Sequence, residues 1–334
     1  MQLSEKKRPR VMSGMRPTGK IHLGHLVGAL QQWVRYCETA DPYFEIADLH
    51  AYTTSFSDPQ SIRDARNDMV IDWLAAGIDP QKCTIYLQSA IPEISELHVL
   101  LGMITPLSWL ERVPTWKSQI GELGQHIATY GFLGYPLLQL CDIAIFRGER
   151  VPVGRDQLAH LEFGREVVRR FNYLYGEGKE ILTEPEGTLS DFPEIPGTDG
   201  RKMSKSYDNA ILIADDETTT AKKVRSMVTD PLKIRRHDAG RPEICPVFAL
   251  WKIVNPDHVP WVDRNCRSGE LGCVQDKTDF AASLNEFLQP IRERRAEIAK
   301  DPRYVERIID VGSQKARAIA AQTLHDVKRA MKLV

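Results

Sequence analysis

The sequence lacks the features that would send a chain into or across a membrane. None of its apolar stretches approaches the roughly 18 residues that a membrane-spanning helix needs. The basic segment MQLSEKKRPR at residues 1–10 is not followed by the apolar run of a secretory signal. We therefore expect a cytoplasmic protein without a membrane partner.

An excess of charge of either sign is also missing. Lys and Arg number 44 against 45 Asp and Glu, which gives a net charge of -1. The field of the whole molecule therefore does not indicate a polyanionic partner, and local clusters must decide that question. The sequence contains no CxxC pair, internal repeat or low-complexity tract. Its 42% hydrophobic residues are enough for the cores of about two domains.

Two regions of different pattern divide the chain. Short apolar runs alternate with amphipathic helical patterns from Arg10 to about Phe163, which predicts βαβ units and a parallel sheet. Pro, Gly and Asp dominate the segment from about Glu184 to Arg201, which we interpret as a loop or domain joint. Long helical patterns follow from about Asp216 onward. The sequence thus predicts an α/β region followed by a mostly α-helical one.

The loop after the first predicted strand, Val11 to Gly14, has features of a phosphate-binding site. In MRPTGKIHLGH, glycines let the backbone approach a ligand, and the start of the following helix favours a phosphate. The loop fits neither GxGxxG nor GK[ST]. His22 and His25, three positions apart, could donate hydrogen bonds to phosphate oxygens. A polar helix cap beside a core histidine explains the same residues equally well.

A second polar loop, RKMSKSY at residues 201–207, carries two lysines and two serines around one methionine. By itself it could be an ordinary exposed loop. HLGH at residues 22–25, preceded by RPTG and followed about 180 residues later by KMSKS, resembles the two signatures of class I aminoacyl-tRNA synthetases. The first signature departs from the family's HIGH by a leucine. The resemblance implies a Rossmann-like nucleotide-binding domain at residues 1–205 and a helical tRNA anticodon-binding domain at residues 206–334, whose final helix could pack back on the first.

The resemblance also implies which residues act on ATP, with Mg2+ accompanying the nucleotide. Catalytic roles fall to His22, His25, Lys202 and Lys205. ATP contacts fall to Arg16, Thr18, Gly24, Gly154, Asp156, Gln157, Met203, Ser204 and Ser206. A mobile loop with two lysines can close over the leaving pyrophosphate and neutralise its charge.

Three polar residues align on one predicted helix, GYPLLQLCDIAIF at residues 134–146. Tyr135, Gln139 and Asp142 fall at i, i+4 and i+7, which indicates either a ligand site or a buried polar network. The whole chain resembles bacterial-type tryptophanyl-tRNA synthetases. That resemblance implies that Asp142 accepts the indole N–H and that the other two bind the substrate ammonium.

Further contacts to tryptophan are implied at Gly14, Asp48, His50 and Val153. Taken by themselves, Asp48 and His50 could equally be a hydrogen-bonded pair at a strand end. A tyrosine-specific relative remains the alternative, since an aspartate also accepts a phenol.

Three cysteines cluster in the helical region. Cys245, Cys266 and Cys273 lie at separations of 21 and 7, and this region resembles the tryptophanyl-tRNA synthetases that carry a four-iron, four-sulfur cluster. Asp276 stands at the fourth ligand position, and its oxygen is a poorer ligand for such a cluster than sulfur. Three ordinary thiols or a zinc site are the alternatives.

Basic clusters such as KIRRHDAGR and RERR also lie in the helical region, where they could contact tRNA phosphates or be solvated helix faces. The family resemblance implies tRNA(Trp) as a partner and a homodimer. A catalytically idle paralogue that binds RNA or senses redox state through the cysteines is the alternative from another class of function. Two histidines and two lysines kept together in the signatures count against it.

Overall fold

Parallel strands form the centre of the molecule. The computed structural model describes residues 8–154, 157–189 and 195–334, without the side chains of residues 117, 119, 122, 123 and 206. Within that part, five strands make one sheet: β1 Arg10–Met15, β2 Asp41–Ile46, β3 Thr84–Leu87, β4 Arg150–Val153 and β5 Glu186–Leu189. Their order is β3-β2-β1-β4-β5, and every neighbouring pair is parallel. The predicted Rossmann-like α/β fold is confirmed.

Helices connect these strands and form the C-terminal region, as predicted. In chain order they are α1 Leu23–His25, α2 Gln31–Thr39, α3 Asp48–Ser55, α4 Pro59–Ala75, α5 Pro92–Gly102, α6 Leu107–Glu111, α7 Pro114–Leu123, α8 Tyr130–Ala144, α9 Leu158–Tyr175, α10 Glu217–Ser226, α11 Pro246–Val254, α12 Val259–Ser268, α13 Cys273–Ile298 and α14 Pro302–Ala330. A π-helical turn, Leu26–Leu30, links α1 to α2.

Side-chain caps fix where two of the helices near the sheet begin. The carboxylate of Asp58 accepts the N–H of Ser61 at 3.2 Å at the start of α4. The hydroxyl of Thr129 accepts the N–H of Phe132 at 3.2 Å at the start of α8. Each cap satisfies a backbone donor that has no partner inside its helix. The cap on α8 thus sets the start of the helix that carries Tyr135, Gln139 and Asp142.

Alternating side chains of the sheet feed two apolar cores. Phe44, Ile46 and Ile85 belong to the core that includes the C-terminal helices. Tyr43 and Tyr86 belong to the core formed with α5, α8, α9 and the later part of α14. This alternation is what a strand with both faces covered by helices requires. Glu45, between Phe44 and Ile46, therefore points to the same side as Tyr43.

The interpretation of residues 184–201 as loop is wrong for Glu186–Leu189. These residues pair in register with β4, from Arg150 opposite Glu186 to Val153 opposite Leu189. Four residues that include a glycine form too short a pattern to indicate a strand. These residues become a strand because the free edge of β4 offers them backbone hydrogen bonds.

The last helix covers the other edge of the sheet. On α14, a Cβ added to Gly312 would overlap the carbonyl oxygen of Ile85 in β3. The hydroxyl of Ser313 accepts the N–H of Leu87 at 3.1 Å. Small side chains therefore let the helix backbone approach the strand and satisfy an edge donor that would otherwise be unpaired.

A buried aspartate joins the C-terminal helices to the first loop. Arg295 of α13 donates to one oxygen of Asp72 in α4 at 2.7 Å, and the N–H of Ile21 donates to the other at 3.2 Å. Ile21 precedes the first signature, so this carboxylate helps to position it. Within the described ranges we find no helix with the length and apolar character needed to cross a bilayer.

Candidate active site

A cavity of about 590 Å³ opens at the carboxyl ends of β1 and β4. Chain order reverses between these two strands, and ligands of open parallel sheets bind at such a point. The predicted site residues that line the cavity are Gly14, Arg16, Thr18, His22, His25, His50, Tyr135, Gln139, Asp142, Val153, Gly154, Gln157, Ser204 and Lys205. The structure thus brings together residues from both signatures and from α8.

Other predicted site residues lie outside the lining. Met203 is buried in the apolar core, where it anchors its loop, and the side chain of Lys202 is exposed. Asp48 is buried at the start of α3, where Ser89 donates to its carboxylate through Oγ at 2.6 Å. Asp156 and the side chain of Ser206 lie outside the part of the chain that the structure describes.

The two histidines of the first signature fix each other. The N–H of His22 donates to Nδ1 of His25 at 3.4 Å, the N–H of His25 donates to Nδ1 of His22 at 3.3 Å, and the ring centroids are 3.7 Å apart. A ring nitrogen that accepts a hydrogen bond carries no proton, so each neutral ring carries its proton on Nε2. Both rings can then donate from Nε2.

Both rings are neutral at physiological pH. Burial lowers the pKa of His22 to about 4, and the charge of Lys205 adds to this effect. Burial and then His22 lower the pKa of His25 well below its usual value. A Cβ on Gly24 would lie 2.9 Å from Cε1 and Nδ1 of the His22 ring, so this glycine makes room for the ring.

The second signature is docked on the first loop. Nζ of Lys205 donates to the carbonyl of Thr18 at 2.9 Å. Burial lowers the pKa of Lys205, and the charge of Arg16 lowers it further. The docked loop therefore places a second cation beside Arg16, at the side of the cavity where the histidine donors lie.

A buried asparagine that sequence reasoning missed holds this loop in shape. Oδ1 of Asn209 accepts the N–H of Ser204 at 2.8 Å, and its Nδ2 donates to Asp199 at 2.7 Å and to the carbonyl of Lys202 at 3.1 Å. Its position just after the motif was the available signal, because asparagine commonly stabilises turns through such bonds.

At the opposite side of the cavity, Asp142 of α8 is 3% exposed and carries several contacts. Nε2 of Gln88 donates to its Oδ1 at 2.9 Å, and Nε2 of His50 lies 2.8 Å from its Oδ2. Burial raises the pKa of Asp142 and lowers that of His50 to about 4. Sequence reasoning missed Gln88, which follows β3 and reaches Asp142 through tertiary packing.

A second missed residue, His160 of α9, ties the other two polar residues of α8 together. Its Nε2 lies 3.1 Å from Oη of Tyr135 and also contacts Oγ1 of Thr115, and its Nδ1 lies 3.0 Å from Oε1 of Gln139. The predicted buried polar network is therefore present, and the ligand site on the same helix stays a prediction. The network holds the side chains that line the cavity.

The three clustered cysteines line a second, small cavity together with Asp276. Oδ1 of Asp276 accepts the indole N–H of Trp251 at 2.9 Å. Burial raises the pKa of all three thiols, that of Cys266 to about 11. Among the described residues we find no group of three or more His, Cys, Asp or Glu side chains arranged to hold a metal ion.

A parallel sheet with HIGH-type and KMSKS loops meeting at its switch point is the architecture of class I aminoacyl-tRNA synthetases. A family model described as tRNA synthetases class I (W and Y) matches residues 4–289. The chain is 42% identical over 396 residues to tryptophan–tRNA ligase of Aquifex aeolicus, covering 97% of this chain and 100% of that protein. It is 45% identical over 329 residues to the enzyme of Thermotoga maritima, covering 97% and 99%.

A solved structure gives the same answer. Tryptophanyl-tRNA synthetase from Campylobacter jejuni, in complex with ADP and tryptophan, matches with a TM-score of 0.86 at 32% identity over 97% of this chain and 99% of that one. The chain belongs to the tryptophanyl-tRNA synthetases.

Proposed function

We propose that this chain activates L-tryptophan with ATP, forming tryptophanyl-adenylate and pyrophosphate, and then transfers the tryptophanyl group to the 3′ end of tRNA(Trp). The observation that carries the proposal is one cavity with neutral histidine donors and Lys205 at one side and the buried acceptor Asp142 at the other. Charging of a tRNA(Trp) transcript with labelled tryptophan tests it. Charging with tyrosine in place of tryptophan would contradict it.

The activation step concentrates negative charge on phosphate oxygens. A tryptophan carboxylate oxygen attacks the α-phosphorus of ATP, and the bond to the oxygen that bridges to the β-phosphate breaks, so that pyrophosphate leaves. The Nε2–H groups of His22 and His25 donate to phosphate oxygens, and Lys205 supplies a cation. Magnesium bound with ATP would neutralise part of the phosphate charge.

Tryptophan binds with its indole toward Asp142. The indole N–H donates to this carboxylate, which a ligand lacking the N–H would leave incompletely paired. Oη of Tyr135 and Oε1 of Gln139 accept from the substrate ammonium, and His160 fixes both side chains for that task. Gly154 and Gln157, at the end of β4 and the start of α9, border the adenosine.

The enzyme works in the cytoplasm. Residues 206–334 form the part that binds tRNA. Exposed basic side chains support this assignment, among them Arg225 at the end of α10 and Arg235 and Arg236 further along. In the second step, a hydroxyl of the terminal adenosine attacks the adenylate carbonyl and AMP leaves. The logarithm of the association constant for tRNA(Trp) should fall linearly with the logarithm of the salt concentration. The slope of that line should be less steep in the double variant Arg235→Ala/Arg236→Ala.

A homodimer is the assembly that the surface supports. Val99, Met103, Leu107 and Tyr130 are exposed apolar side chains on or beside α5, α6 and α8, which pack together. Tyr130 is 77% exposed and Met103 74%. Large exposed apolar side chains on helices that pack together are typical of interaction sites. Light scattering should give twice the chain mass, and Met103→Glu should shift it toward the monomer; a monomeric wild type would contradict the assignment.

The iron–sulfur hypothesis has weaker support. A shared cavity favours it, but the thiols and Asp276 as arranged do not form a metal-binding group, and Trp251 already occupies an oxygen of Asp276. The described residues therefore do not fit a cluster in this arrangement, and no catalytic step depends on one. Iron and acid-labile sulfide in anaerobically purified protein would revive the hypothesis.

A further inference from the structure

Glu45 is a buried acid whose function the reaction steps above do not explain. It lies on β2 and is 3% exposed, at the wall of the cavity. In the sheet it stands directly between Gly14 on β1 and Tyr86 on β3. A Cβ on Gly14 would lie 3.0 Å from Cβ and 3.1 Å from Oε2 of Glu45, so the glycine leaves room for the carboxyl group.

Glu45 lies between a phenol and a second carboxyl group. Oη of Tyr86, which is fully buried, donates to Oε1 of Glu45 at 3.0 Å. Glu45 and Asp142 line the same cavity, and each carboxyl group shifts the pKa of the other. Two buried carboxylates near each other repel, and neither has a proton to donate to the other. One of the two acids therefore keeps a proton.

The surrounding donors decide which acid keeps the proton. Asp142 has Gln88 and His50 as additional partners, whereas the sheet gives Glu45 the phenol of Tyr86. The backbone N–H of His50 donates to Oε1 of Gln88 at 3.2 Å, which turns the Gln88 amide group toward Asp142. More donors stabilise the charge on Asp142, so the proton stays on Glu45.

The titration directions agree with this placement. Burial raises the pKa of Glu45 well above its usual range, and the charge of Asp142 raises it further. Burial also raises the pKa of Asp142, while the bonds from Gln88 and Glu45 lower it. The nearby charged groups are Asp48, whose charge raises the pKa of Asp142, and Arg16, whose charge lowers that of His50.

We infer that Glu45 is a neutral acid that donates its proton to Asp142 and thereby holds Asp142 as the ionised acceptor of the substrate's indole N–H. An ionised carboxylate offers about four acceptor positions. Gln88, His50 and Glu45 occupy three, which leaves one for a donor in the cavity. Because Asp142 is then ionised, the proton of neutral His50 lies on Nε2. Glu45 is thus a positioning residue for specificity, and this inference rests on the proposed function.

The test compares two substitutions of Glu45 in the full-length enzyme. In Glu45→Gln, the amide oxygen can still accept from Tyr86 and the amide nitrogen can still donate to Asp142, so KM for tryptophan should stay within about twofold of wild type. Glu45→Met keeps the length of the side chain and loses both bonds, so KM for tryptophan should rise roughly 10- to 100-fold. The KM for ATP and kcat of pyrophosphate exchange should change much less.

A tryptophan analogue with sulfur in place of the indole N–H shows whether the effect passes through Asp142. Wild type and Glu45→Gln should discriminate strongly against the analogue, and Glu45→Met should lose discrimination by the same factor by which its tryptophan KM rises. Glu93→Met is the matched control, since Glu93 pairs with Arg317 away from the cavity. Infrared difference spectra between wild type and Glu45→Gln should show a protonated carboxylic acid at neutral pH in wild type alone.

The outcomes separate this inference from the proposed function. Asp142→Ala, which removes every acceptor at this position, should abolish the discrimination between tryptophan and the analogue; if it does not, the proposed role of Asp142 fails whatever Glu45 does. If Asp142→Ala does abolish it, equal losses in Glu45→Gln and Glu45→Met would mean that Glu45 acts as an anion and would overturn the inference. Unchanged discrimination in a folded Glu45→Met would overturn it too. Should Glu45→Met fail to fold, absence of the infrared band in wild type would decide against it.

Discussion

Removing the ammonium group of Lys205 should slow activation far more than it weakens substrate binding. Nζ of Lys205 sits 2.9 Å from the carbonyl of Thr18, on the side of the cavity that carries the histidine donors. At about 4 Å and an effective dielectric of about 20, a unit charge attracts another by about 4 kcal/mol. Partial loss of this attraction in Lys205→Ala should lower kcat by roughly 10²- to 10³-fold. That is the usual effect of removing one preorganised group that stabilises the charge of the transition state.

The assay is tryptophan-dependent exchange of labelled pyrophosphate into ATP, with KM for each substrate measured separately. Lys202→Ala is the matched control, because Lys202 belongs to the same loop but its exposed side chain lies outside the cavity lining. Its loss in kcat should be the smaller one. A change confined to tryptophan KM in Lys205→Ala, or a greater loss in Lys202→Ala, would refute the reasoning.

Three further predictions follow from close contacts and buried groups. Gly24→Ala should lower kcat and raise the KM for ATP, because the added Cβ would displace the His22 ring. Gly121→Ala is the control: its added Cβ has nothing within 4 Å, so both constants should stay unchanged. Gly312→Ala should lower the free energy of unfolding by about 1–3 kcal/mol through overlap with β3, as urea melts would show against the same control. The pKa of His22 is about 4 in the folded chain, so between about pH 6.5 and 4 the unfolded chain binds a proton at this residue that the folded chain does not. The free energy of unfolding is therefore full above this window and falls as the pH is lowered through it. In His22→Asn this loss should be smaller by roughly 3 kcal/mol over the window, and an unchanged dependence of the free energy of unfolding on pH would contradict the assignment.

Local patterns predicted the parts of the site that depend on local geometry. Tyr135, Gln139 and Asp142 share one face of α8 because helical spacing puts residues i, i+4 and i+7 together. The loop after β1 and the helix after that loop were also predicted, because the glycines and histidines that mark them come directly after the strand in the sequence.

Residues that reach the site from distant elements could not be predicted in this way. Gln88, His160 and Glu45 approach α8 from the segment after β3, from α9 and from β2, and those contacts depend on how the sheet and helices pack. A lone glutamate within the apolar run YFEIA was a usable signal, because a buried carboxyl group in a strand needs hydrogen-bond partners. For Asp276, the sequence pattern predicted the fourth ligand of a cluster. It could not show that the indole N–H of Trp251 donates a hydrogen bond to this carboxylate.

Amino-acid-dependent exchange of labelled pyrophosphate into ATP, with tryptophan and tyrosine in separate reactions and anaerobically purified protein, tests the central claim most directly. The account predicts exchange with tryptophan and none above background with tyrosine. Exchange with tyrosine would contradict the specificity assigned to Asp142 while leaving the fold intact, and no exchange with either amino acid would contradict the assignment of activity itself.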